Sequence, residues 1–210
     1  MIRRRTLLAG GLLAPFVTAC GGGDESPVEV QGGNASGGFH GTGLDDGKLL
    51  PDVELTDQHG KPFNLRTGWD TKVAALFFGY LNCPDVCPGI MADMATARRR
   101  LPDEVADDVT PILVTTDPAR DDAEALRTYL ERVDDRFVGL TGELDTIVAI
   151  GEQLGIAIEQ GKQLPSGGYE VDHSTQVLGI GPDRRVRVVW TTLGLDVGNL
   201  REDYERLVRG

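Results

Sequence analysis

Residues 73–94 read VAALFFGYLNCPDVCPGIMADM. The first seven are apolar without alternation, which is the mark of a strand covered on both faces. Beyond Pro88, Ile90, Met94 and Ala97 recur at helical spacing. A buried strand that passes through a short loop into a helix is the opening of an α/β unit. The loop between them carries Cys83 and Cys87, each followed by proline, and the whole chain has three cysteines. A structural disulfide, a redox disulfide and a metal site all fit such a pair at first sight.

Working outward, residues 52–65 (DVELTDQHGKPFNL) read as a hairpin around Gly60, with His59 in the turn. Residues 109–117 (VTPILVTTD) repeat the buried-strand pattern, and residues 120–133 form an amphipathic helix whose charges run from acidic to basic, as its dipole favours. A short strand (FVGLTG, 137–142) and a helix (143–155) follow. Residues 174–192 read as two strands around the GPDRR turn, and a helix capped by Asp196 closes the chain. The expected fold is α/β and thioredoxin-like, with an N-terminal β-hairpin and an inserted strand–helix segment. Open α/β sheets place their sites at the carboxyl ends of central strands, which is where Cys83 and Cys87 fall. In that arrangement a loop before the penultimate strand faces the cysteine pair. Residues 170–176 (EVDHSTQ) hold that place, so His173 is expected opposite Cys83 and Cys87.

The N-terminal part does not read as fold. Arg3, Arg4 and Arg5 precede an uncharged, mostly apolar run from Thr6 to Ala19 that ends VTAC. The run is shorter than the roughly 20 residues a membrane span needs and suits a signal peptide. Small residues directly before Cys20 resemble a bacterial lipoprotein signal, and the arginines also resemble a twin-arginine export signal. The expectation is a signal peptide over 1–19, lipidation at Cys20, and a lipid-anchored protein on the extracytoplasmic face of a bacterial cell membrane. Residues 20–47, rich in glycine, are expected to be a flexible linker. His40 is read there as an exposed loop residue, although FHGT (39–42) is a candidate to begin docking on the domain. The domain itself is expected over 48–210.

With the three signal arginines set aside, 18 basic residues face 33 acidic ones, a net charge of −15. Phosphate binding needs clustered Lys and Arg, so nucleic acid is excluded as a partner class. The compartment permits disulfides, but a staple across four residues closes a very small loop and removes little chain entropy. Redox pairs of the thioredoxin type have two residues between their cysteines, and this pair has three. Residues four apart on a helix have Cβ atoms roughly 5–6 Å apart, whereas a disulfide wants roughly 3.5–4.5 Å. The loop must bend to close the bond, and Pro84 and Pro88 make a non-helical start to the helix plausible. Two thiolates one turn apart converge on an ion without that compression, and a helix N-terminus favours the thiolate form. Two thiolates and an imidazole suit copper in either oxidation state, and zinc accepts the same set.

The residues FHGT, LTDQHGKPFNL, FFGYLNCPDVCP, VTTDPARD and VDHSTQVLGIGPD together resemble the Sco/SenC family of copper-binding, thioredoxin-like proteins. The resemblance covers nearly all of residues 39–208. It implies a copper ion held by Cys83, Cys87 and His173, and a role in assembling the dinuclear copper centre of cytochrome c oxidase. Asp172 then adjoins the ligand histidine and orients it, serves as a weak further ligand or caps the loop; Asp85 is a loop residue, and Asp117 holds a strand-to-helix turn. Arg184 stands where relatives often have a glycine-containing turn. The implied partners are the copper-site subunit of the oxidase, a copper donor or thiol reductant, and the membrane. Two function classes stay open. One is a copper chaperone; the other is a thiol–disulfide oxidoreductase in which Cys83 and Cys87 form the redox pair.

Overall fold

The computed structural model describes residues 36–84, 86–163, 169–191 and 195–210, with the backbone alone at Ser36, 160–163 and 169–173. The signal peptide, Cys20 and Asp85 lie outside the described residues. In chain order the strands and helices are β1 (Thr42–Gly43), β2 (Glu54–Asp57), β3 (Pro62–Asn64), β4 (Val73–Gly79), α1 (Val86–Arg99), α2 (Asp103–Ala106), β5 (Val109–Thr115), α3 (Ala123–Val133), β6 (Val138–Thr141), α4 (Leu144–Leu154), β7 (Ile158–Gln163), β8 (Tyr169–His173), β9 (Val177–Ile180), β10 (Val186–Trp190) and α5 (Val197–Arg209).

β4 and β5 are parallel neighbours, paired from Val73 with Val109 to Gly79 with Thr115. β9 lies antiparallel on the other side of β4, and β10 pairs antiparallel with β9. The full order is β1-β10-β9-β4-β5-β6-β2-β3, a thioredoxin-like sheet widened at both edges. Every residue of β4 is buried, because its two faces serve two cores. Val73, Ala75 and Phe77 pack with α1 and α5; Ala74, Leu76 and Phe78 pack with α4 on the opposite side. Alternation along one strand thus divides a continuous apolar run between two cores. Each fully buried phenylalanine contributes about 2–3 kcal/mol.

Local chemistry sets the element ends as the sequence suggests. Asp122 accepts from the Ala125 amide at 2.8 Å to start α3, and Asp196 accepts from Asn199 at 3.0 Å to start α5. Gly60 takes φ +73° in the β2–β3 turn. The inserted strand and helix are β6 and α4. Gln58 locks the hairpin to this insertion by donating to Phe137 O and accepting from Gly139 N, both at 2.9 Å. Arg184 takes φ +63° in the β9–β10 turn, where a side chain costs about 1 kcal/mol or more. Its guanidinium offsets that cost: it stacks 3.5 Å from the Trp69 ring centroid and donates to Trp69 O and Thr71 O.

Three features differ from the sequence reading. The stretch read as linker reaches the sheet before its end, since β1 pairs Thr42 with Val189 and Gly43 with Val188. The segment EVDH is strand rather than loop, because β8 pairs antiparallel with β7; its sequence shows no turn signal that is separable from the glycines around it. The short helix α2 also escapes periodicity, being four residues long.

Candidate metal centre

β4 ends at Gly79 and releases the chain into a tight turn in which the Cys83 amide donates to Tyr80 O at 3.3 Å. Cys83 is half-buried; Cys87, in the first turn of α1, is completely buried. The Cys87 amide donates to the Cys83 sulfur at 3.5 Å, and both cysteines are thiols. The first amides of a helix have no partner within the helix. Here a sulfur takes one of them, and the partial positive charge of the helix start stabilises negative charge on that sulfur.

The two thiols are therefore unlike. Burial pushes Cys87 up to about 12, and the hydrogen bond with Cys83 adds to the shift. The expectation that the helix start favours the thiolate does not hold for Cys87, because desolvation of a fully enclosed sulfur outweighs the backbone dipoles. Two phenols complete the surroundings. Tyr80 donates to Cys83; burial raises it, and the neighbouring Cys83 and Cys87 raise it further. Tyr129, from α3, is raised by burial and then by Cys87 and Cys83.

A second loop braces this turn. After β5, the Thr116 amide donates to Gly79 O at 2.8 Å, and the Leu81 amide donates to Asp121 Oδ2 at 3.0 Å. The Thr115 hydroxyl donates to the same Asp121 oxygen at 2.7 Å and accepts from the Asp117 amide at 3.0 Å. Asp117 pairs with Arg120, and its carbonyl accepts the Arg120 and Asp121 amides. Asp117 thus holds the turn, as its motif suggests, while Asp121 reaches the cysteine loop. Sequence reasoning missed Asp121, Tyr80 and Tyr129. Asp121 stood in the same TTDPARD run, but nothing in the run says which carboxylate faces across to the neighbouring strand.

His173 ends β8, paired with Ile158. The next residue, Ser174, donates its amide to Ala157 O at 3.0 Å and accepts from the Ala157 amide at 3.3 Å. Val177 then opens β9 beside Phe77 of β4. Because β9 runs antiparallel to β4, the backbone just before Val177 lies at the sheet end where β4 enters the cysteine turn. The side chains of Asp172 and His173 lie outside the described residues. Among the described side chains no group of three or more His, Cys, Asp and Glu comes together; Cys83 and Cys87 supply two soft donors. His59 sits in the hairpin turn, its amide on Asp57 at 2.9 Å. His40 is exposed, but its ring reaches Glu202 at 3.0 Å.

The SCO1/SenC family profile matches residues 43–209, and the chain belongs to that family. A protein of Stutzerimonas stutzeri, provisionally named as copper-binding, is 34% identical over 140 residues, covering 67% of this chain and 68% of its own. The mitochondrial SCO2 homolog of Danio rerio is 33% identical over 109 residues; the match covers 51% of this chain and only 39% of that longer protein. Among solved structures, Bradyrhizobium japonicum ScoI with copper bound is similar with a TM-score of 0.68 and 26% identity, over 76% of this chain and 99% of that one.

Proposed function

We propose that this SCO1/SenC-family chain is a copper chaperone. It holds Cu(I) or Cu(II) through Cys83, Cys87 and His173, and delivers copper to, or prepares, the dinuclear copper site of cytochrome c oxidase. The observation that carries the reading is the cysteine pair itself: two sulfurs drawn together at a helix start, with the Cys87 amide 3.5 Å from the Cys83 sulfur. Soft sulfur donors suit copper, and copper in a ScoI relative supports it as the cargo. The oxidase as destination follows from the family resemblance.

Loading requires both thiols to lose their protons. The Cys87 proton is the harder to remove, so copper binding releases it into solution. Delivery begins at Cys83, the more accessible sulfur. A thiolate of the acceptor forms its bond to copper as the Cys83 bond breaks, and Cys87 and His173 follow. Lipidation at Cys20 would tether the domain at the extracytoplasmic membrane face, within reach of a membrane-embedded oxidase.

The difference in exposure also favours a second reading, thiol–disulfide exchange that prepares the acceptor. The Cys83 thiolate attacks an acceptor disulfide, giving a mixed disulfide and one released thiolate. Cys87 then loses its proton, attacks the Cys83 sulfur and releases the second thiolate. The acceptor gains two electrons and this chain ends with a Cys83–Cys87 disulfide.

Copper titration of the reduced protein, with electron paramagnetic resonance and thiol counting, tests the first reading. One copper bound per chain with loss of both titratable thiols is expected. His173→Ala should weaken Cu(II) binding most, because Cu(II) prefers a set containing nitrogen, and should leave disulfide exchange nearly unchanged. If His173→Ala abolished exchange and left the Cu(II) spectra intact, the oxidoreductase reading would take first place.

A further inference from the structure

We infer that Asp121 is a positioning residue for the thiol centre, one that fixes the start of the cysteine loop and through it the place of the Cys83 sulfur. The inference rests on the thiol pair being the working site, whichever of the two readings it serves. Asp121 is completely buried and stands 40 residues beyond Leu81 in the chain. Its Oδ2 accepts two hydrogen bonds, from the Leu81 amide at 3.0 Å and the Thr115 hydroxyl at 2.7 Å. Leu81 is two residues before Cys83, inside the turn that the Cys83 amide closes on Tyr80 O. The carboxylate is thus a side-chain tie between the end of β5 and the cysteine turn, alongside the backbone bond from Thr116 to Gly79.

Among the described residues Asp121 Oδ1 is buried with no hydrogen-bond partner, as are Thr116 Oγ1 and Tyr204 Oη, so both contacts that place the carboxylate run through Oδ2. The carboxylate of Asp117, by contrast, pairs with Arg120. Ligands placed by outer hydrogen bonds lose about 10–100-fold in metal affinity when that support is removed.

The test uses the full chain with Asp121→Ala, Asp121→Asn and, as a control for general destabilisation, Ile150→Ala in the core on the opposite sheet face. The metal-free readout is the equilibrium constant of the Cys83–Cys87 disulfide against glutathione; the second is copper affinity. Asp121→Ala should shift the disulfide constant and the copper affinity by about tenfold each. Asp121→Asn should restore most of both, since its amide oxygen accepts the same two bonds. Ile150→Ala should unfold more easily and move neither. Asp121→Ser, one bond short of Leu81, carries the test if the alanine variant does not fold. The inference is overturned by a disulfide constant in Asp121→Ala or Asp121→Ser within about twofold of the parent. It is also overturned by an asparagine variant as disturbed as alanine, or by Ile150→Ala moving the constant equally. A parent protein that fails to bind copper would sink the chaperone reading and leave the glutathione comparison intact.

Discussion

Two buried aspartates tie outlying segments to this domain, and they are satisfied very differently. Asp203 on α5 clamps the incoming strap. It accepts from the His40 amide at 2.9 and 3.0 Å on its two oxygens, from the Gly41 amide at 3.0 Å and from the Trp190 indole at 2.7 Å. Gly41 is needed there because a Cβ would lie 2.6 Å from the Trp190 ring. Asp121, at the thiol end, accepts through one oxygen and leaves the other buried without a partner among the described residues. The clamp uses both carboxylate oxygens of Asp203, although the neighbouring Tyr204 hydroxyl is buried without a partner among the described residues. The thiol end keeps an unmatched acceptor and a raised thiol within one small region.

The comparison breaks most readily at Asp203. Asp203→Ala removes the acceptor for two amides and an indole, and hydrogen bonds to charged groups contribute about 1.5–3 kcal/mol each. A loss on the order of 3–4 kcal/mol is expected in denaturant unfolding, with faster hydrogen exchange at His40 and Gly41. A loss below about 1 kcal/mol would mean the strap contributes little to the fold.

A middle-sized effect should appear at the thiol end as pH rises. Cys87 is raised from the ordinary value of 9.0 to about 12, burial being the main cause. A thiol that holds its proton more tightly when folded than when unfolded stabilises the fold below about pH 9, and that contribution is lost as pH climbs toward 12. Burial pushes Tyr204 in the same direction, so the reduced protein should lose stability over this range for two reasons. Cys87→Ala should flatten part of the fall in urea unfolding. An unchanged slope would show that Cys87 ionises as freely in the folded chain as in the unfolded one.

The smallest effect is expected from His40→Ala. The ring meets Glu202 at the surface, where water and salt screen the pair. The strap is held by the backbone amide of His40, which alanine keeps. Denaturation curves of the two proteins should overlay; a clear loss would shift the clamp's strength from the amide to the ring.

The order of the central elements was legible because it is written in neighbouring residues. Residues 73–79 and 109–115 declare their double burial by composition, Asp122 and Asp196 declare helix starts, and Gly60 declares a turn. The cysteine pair was legible for the same reason: four positions of sequence, closed by the geometry of one helical turn. The β7–β8 hairpin was not legible, since β7 (IEQGKQ) carries a glycine and no alternation, which leaves the alternating YEVDH without a recognisable partner strand.

The thioredoxin-like order of elements and the one-turn spacing of Cys83 and Cys87 follow from short-range periodicity and could be read along the chain. The partners of the buried carboxylates and the difference between the thiols depend on packing between distant segments. Asp121 meets Leu81 across 40 residues, and Asp203 meets His40 across 163. Cys83 and Cys87 are the same residue type, each followed by proline, yet one is half-open and the other sealed within the first turn of α1. Partners and burial at such separations follow from packing, and the loss of solvent that raises Cys87 exists only once that packing is complete.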